Sequence, residues 1–167
     1  MRGAKQYTAQ QILNLAKAIE GDVVAYNWLK QNHCLELAAV CCGFLNYDSN
    51  KSLDWLHKYQ FRALWCFIDS FEDNQDAFEY LKFCNQKEWG ATYCAALGDN
   101  NAIKWLVKNK FNHYVFLSKA IFEHFERYQN RRRHRGGLIW SVLDDSSDGF
   151  DGFGGGDFGG GGAGGDW

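Results

Sequence analysis

The chain has 167 residues, of which 46% are hydrophobic and 17% aromatic, including seven Trp, a composition that excludes a disordered polymer and predicts one folded domain with a substantial core. Its charge is divided: of the net −2, residues 1–135 carry all 18 Lys and Arg against 14 acidic residues, while residues 136–167 carry six Asp and thirteen of the 18 Gly. Neither part is charged enough to name a partner by itself.

From the N-terminus, residues 1–7 lead into a mixed polar and apolar stretch rather than the apolar core and cleavage site of a secretory signal. The longest apolar run, Leu37 to Leu45, spans nine residues, far short of the roughly 20 that cross a bilayer. The six Cys, at 34, 41, 42, 66, 84 and 94, fall inside apolar helical patterns, which predicts free thiols and a cytoplasmic protein, at most peripheral to a membrane.

Thr8 and Gln11 form a capping box flanked by Tyr7 and Ile12, which starts a first helix over 9–20. Beyond it an aromatic-Leu pair recurs at Trp28-Leu29, Trp55-Leu56, Tyr80-Leu81 and Trp105-Leu106, at spacings of 27, 25 and 25. Three positions before the aromatic stand Ala25, Ser52, Ala77 and Ala102, and two before it Tyr26, Leu53, Phe78 and Ile103. These positions share one stripe of a helix, with a small residue where a neighbouring backbone approaches. Six before the aromatic are Asp22, Ser49, Asn74 and Asp99, all N-capping residues, preceded by the turn formers Gly21, Asp48, Asp73 and Gly98.

Each unit is thus a helical hairpin, with first helices predicted over 9–20, 36–46, 62–71 and 91–97 and second helices over 23–32, 50–59, 75–84 and 100–109. Ser118 is the predicted cap of a longer closing helix, in which Ile121, Phe122, Phe125 and Tyr128 form the apolar face and Glu123 pairs with Arg127. That helix ends in Arg131-Arg132-Arg133-His134-Arg135 ahead of Gly136-Gly137, placing cations at its negative end and Gly at its stop. The expected architecture is an all-α solenoid of about four antiparallel hairpins, over residues 1–135, with a C-terminal capping helix and a disordered Gly/Asp/aromatic tail over 136–167.

The run Ala95-Ala96-Leu97-Gly98-Asp99-Asn100-Asn101-Ala102-Ile103-Lys104-Trp105-Leu106-Val107-Lys108-Asn109 resembles the paired-helix core of an ankyrin repeat, and Ala18 to Asp22 with Trp28-Leu29-Lys30 resembles it less closely. The resemblance spans residues 12–120 and is nearest to short variants of about 25 residues. It departs in lacking Thr-Pro-Leu-His, a Gly after the second helix and room for a β-hairpin finger. It implies a non-enzymatic scaffold, and stacked hairpins independently predict a broad rigid face. The tail, finishing in Gly-x-Trp, resembles the C-termini of some bacterial envelope proteins such as those with TPM domains, which implies a bacterial source.

The function expected is protein binding, as an adaptor, inhibitor or assembly factor, with another protein as partner. The tail contributes Phe150, Phe153, Phe158 and Trp167 as spaced docking residues. The alternative is contact with an anionic surface, nucleic acid or membrane, through Arg131, Arg132, Arg133 and Arg135. No motif calls for a cofactor. Gly161 to Asp166 matches a calcium nonapeptide pattern, but its earlier copy has Phe153 in place of Gly and Gly159 in place of an apolar residue. His33-Cys34 with Cys41-Cys42 lacks the spacing of a zinc site, because adjacent residues on a helix diverge by about 100°. No Cys or His stands in a context that marks a nucleophile.

Overall fold

The computed structural model describes residues 6–45 and 49–133, with side chains for all but residue 49 and 128–133. Among these the secondary structure is all helical: α1 (Ala9–Glu20), α2 (Val23–Gln31), α3 (Leu35–Leu45), α4 (Ser49–Lys58), α5 (Arg62–Ser70), α6 (Gln75–Phe83), α7 (Lys87–Ala96), α8 (Asn100–Lys108) and α9 (Asn112–Arg133). The expected tail over 136–167 lies outside the described residues.

Four of the predicted start signals act as expected. Thr8 accepts from the Gln11 amide at 3.3 Å while the Gln11 side chain accepts from the Thr8 amide at 2.9 Å, and Tyr7 and Ile12 are both buried. Asp22, Asn74 and Asp99 each accept two amides of the helix they open. Gly21, Asp73 and Gly98 stand before them with positive φ of 105°, 62° and 94°. Asp22 and Asp99 also end the preceding helix, donating their amides to Lys17 and Cys94 carbonyls at 3.0 Å. One residue therefore terminates one helix and caps the next, which fixes the hairpin angle. Asp48 lies outside the described residues, and Ser49 is already the first residue of α4.

Further expectations are corrected. Helix α7 begins at Lys87 rather than residue 91, because Gln86 has left the extended backbone and Lys87, Glu88 and Trp89 complete a first turn. Helix α9 begins at Asn112, so Ser118 lies inside it, buried, with its hydroxyl donating to the Val115 carbonyl at 2.8 Å. A serine satisfied this way rides in a helix without capping it. Finally, Arg127 does not pair with the Glu123 carboxylate. It donates Nε to the Glu123 carbonyl at 3.2 Å and Nη1 to the Glu20 carbonyl at 3.4 Å, while Glu123 pairs with Lys119 at 3.7 Å. The carbonyl-rich end of α1 draws the guanidinium across. On the same helix Ile121 is buried and Phe125 partly so, but Phe122 is exposed.

The odd-numbered helices α3, α5, α7 and α9 all start seven residues after a repeat aromatic. Each even-numbered helix packs between two successive odd ones: α2 on α1 and α3, α4 on α3 and α5, α6 on α5 and α7, α8 on α7 and α9. The odd helices form an inner layer in which α1 meets α3, α3 meets α5, α5 meets α7 and α7 meets α9. The cycle then closes, because α9 packs along α1. The solenoid is curled until its first and last inner helices touch.

What fills the centre is aromatic. Trp89 is fully buried and its ring lies 4.9 Å from Phe67, 5.2 Å from Tyr114 and 5.9 Å from Tyr7, all edge-on. Nearer the other end Phe125 of α9 stacks on Phe71 at 5.5 Å and meets Phe44 at 6.2 Å. Edge-on and offset rings of this kind add about 0.5–1.5 kcal/mol per pair beyond area burial. Leu29, Leu56, Leu81 and Leu106 are all 0% exposed, while Trp28, Trp55, Tyr80 and Trp105 lie partly buried at the margin. The repeat stripe is thus a packing face, with the Leu inside and the aromatic sealing its edge.

Candidate functional site

The second helices α2, α4 and α8 end alike. His33, Gln60 and Lys110 adopt φ of 57°, 62° and 64°. The next residues, Cys34, Phe61 and Phe111, donate their amides to Leu29, Leu56 and Leu106 carbonyls at 2.9, 2.9 and 2.8 Å. This is the left-handed helix stop usually made with Gly, which explains how the repeats manage without one. In two of these units the ring after the stop stacks on the repeat Trp: Phe61 on Trp55 at 5.7 Å and Phe111 on Trp105 at 5.9 Å.

The third unit breaks the rule. Helix α6 ends at Cys84 with an extended backbone, φ −75° and ψ 158°, and Gln86 occupies the position of Phe61 and Phe111. Without an aromatic to stack, the Tyr80 ring receives the Arg62 guanidinium instead, 4.4 Å from its centroid. The stretch from Cys84 to Gln86 borders a groove of about 1670 Å³.

One side of this groove is built by the end of α4 and the start of α5: His57, Lys58, Gln60, Phe61, Arg62, Ala63, Leu64 and Trp65. The other is Tyr80, Phe83 and residues 84–86, with Tyr7, His33 and Glu36 at one end. Phe83 is 81% exposed, a large apolar side chain left in water beside the exposed cations Lys58 and Arg62. The His57 and Trp65 rings meet edge-on at 5.8 Å. Glu36 is buried and accepts a hydrogen bond from the Tyr7 hydroxyl, and burial together with the Glu36 charge pushes the Tyr7 phenol far above its ordinary range. The open part of the groove is therefore aromatic and cationic, and its carboxylate is engaged by Tyr7.

A smaller cavity of about 500 Å³ lies where α1, α2, α3 and α9 meet, lined by Tyr26, Cys41, Cys42, His124 and Arg127 among others. Tyr26 Oη and Cys42 Sγ are 3.3 Å apart. That hydrogen bond, followed by burial, raises the Tyr26 phenol to about 12, and burial raises the Cys41 thiol to about 12. Neither group is a nucleophile at neutral pH.

The site residues named from sequence are not brought together here. Phe150, Phe153, Phe158, Trp167 and Arg135 lie outside the described residues, while Arg131, Arg132 and Arg133 form the last turn of α9, their side chains undescribed. His33 is exposed at the α2–α3 turn, whereas Cys34 is buried, accepting from Gln11 Nε2 at 3.2 Å. Among the described residues no three His, Cys, Asp or Glu side chains are grouped to hold a metal ion, and no helix is long and apolar enough to cross a membrane. The groove residues Arg62, Trp65 and Phe83 were not singled out by sequence. The signal that marks them is the joint departure of the third unit, Tyr80 in a column of Trp and Gln86 in a column that is Phe in its neighbours. Comparisons with protein-family models, curated proteins and solved structures return no match.

Proposed function

We propose that the chain is a non-enzymatic protein-binding module of ankyrin-like helical hairpins, which engages an extended segment of a partner in the groove between the α4–α5 and α6–α7 corners. The observation that carries this reading is the groove itself, where the exposed ring of Phe83 stands with Trp65 and Tyr80 beside Lys58 and Arg62. Aromatic and Arg side chains on a rigid concave surface are the residues that dominate binding energy at interfaces. The rigid mount follows from the closed inner layer, so little ordering cost falls on the protein when a segment binds. The aromatic tail residues Phe150, Phe153, Phe158 and Trp167 supply a second contact element in this proposal. Six cysteines without disulfides suit a reducing cytoplasmic setting.

Panning a random peptide library against the full chain, and against the chain with Phe150, Phe153 and Phe158 changed to Ser, tests the reading. Selected peptides should lose at least about tenfold in affinity, roughly 1.4 kcal/mol, on Arg62→Glu and on Phe83→Ser. Peptides indifferent to both changes, or no selected peptides on either chain, would refute it.

A further inference from the structure

Resting on that reading of the groove, we propose that its resident occupant is the chain's own acidic aromatic segment, residues 144–158, folded back within the same molecule. The segment holds five Asp and three Phe and no Lys or Arg. The groove offers what this composition lacks: two exposed cations, Lys58 and Arg62, and the rings of Trp65, Tyr80 and Phe83. Its lining carboxylate, Glu36, is buried and held by Tyr7.

The geometry permits the return. Helix α9 starts at the groove end of the molecule, where Tyr114 lies against Trp89 near the start of α7, and Phe125 reaches Phe44 and Phe71 at the opposite end. From Asn112 to Arg133 the helix rises about 32 Å, at about 1.5 Å per residue. The chain must travel at least that distance back, and the residues from 134 to Phe150 span up to roughly 55 Å when extended. Attachment to the same molecule supplies an effective concentration of order mM, so modest contacts suffice for occupancy. Docked this way, the segment competes with any external partner, and that partner must outbid it.

Zero-length carbodiimide coupling of the full chain, mixed equally from 14N- and 15N-labelled material and analysed by mass spectrometry, tests the proposal. Because residues 136–167 contain no Lys or Arg, trypsin releases them as one piece whose attachment points are read directly. The expected result is same-isotope links to Lys58 at about tenfold the yield of links to exposed Lys104 and Lys119, lost on changing Phe150, Phe153 and Phe158 to Ser. Mixed-isotope links at Lys58 would place the segment of a second copy there and overturn the intramolecular proposal. Links spread evenly over the lysines, or retained at Lys58 after the Phe changes, would overturn it as well. If library peptides still bind through Arg62 and Phe83 in either case, the groove reading survives and only its occupant is wrong.

Discussion

Glu88 is the residue at which burial and charge are most plainly opposed. It sits 8% exposed in the first turn of α7, and desolvation raises its carboxyl above the ordinary value of 4.5, opposed by its own backbone amide. The ionised form is tolerated because the first turn of a helix presents free N–H groups. Since the folded-state value lies above the unfolded one, the native state binds the proton more tightly, and stability falls as pH rises through the window above 4.5. Glu88→Gln should therefore raise the melting temperature at pH 7 and leave it unchanged near pH 4, flattening the slope between, as thermal denaturation across pH will show. Its neighbour Trp89 is fully buried, and its indole N–H finds no hydrogen-bond partner among the described residues. Neither residue is legible as core from the sequence, where the helix is expected to begin at residue 91, which leaves Glu88 and Trp89 between helices.

At the scale of the element, the helix starts capped by Thr8, Asp22, Asn74 and Asp99 were readable, and the starts of α7 and α9 were not. The helix ends fall within one residue of those expected, although the left-handed backbone that makes three of them was not readable. Asp, Asn and Thr side chains announce a cap because their oxygens accept amides locally, with no help from the rest of the fold. The stops at His33, Gln60 and Lys110 place ordinary side chains in left-handed backbone, an arrangement worth about 1–2 kcal/mol of local strain that packing of Cys34 in the core and of Phe61 and Phe111 against it must offset. Lys110, exposed and beyond α8, gives the cleanest test. Lys110→Gly should stabilise by about 0.5–1 kcal/mol, part of the strain relief being lost to the greater freedom of Gly in the unfolded chain. The control Lys104→Gly, exposed in the middle of α8, should destabilise by about 1 kcal/mol. Denaturant titration of the two variants reads both signs. The same element-level view explains the groove: at Cys84 the left-handed stop is absent, the backbone runs extended, and Tyr80 is released to meet Arg62.

For the whole molecule the closure of α9 on α1 changes how stability is distributed. In an open stack each unit touches only its neighbours, and the terminal units fray first. Here the first and last inner helices shield each other, and Arg127 reaches the Glu20 carbonyl across 107 positions of sequence. Native-state hydrogen exchange should therefore find the amides of Leu15 and Leu117 as protected as those of Phe67 in α5. Early exchange confined to α1 and α9 would show instead that the closure contributes little.

The sequence by itself determined the hairpin: its length, its caps, its buried Leu and its small-residue column, because each rests on contacts within about 25 residues and on side-chain chemistry that acts locally. The tertiary structure alone decided that the row of hairpins curls shut around Trp89 and Phe125, and that the irregular third corner stands open beside Arg62. Both depend on the angle between successive hairpins. That angle is set by the packing of small against large side chains on neighbouring units, and it accumulates over the entire chain. No local pattern of residues encodes such a sum.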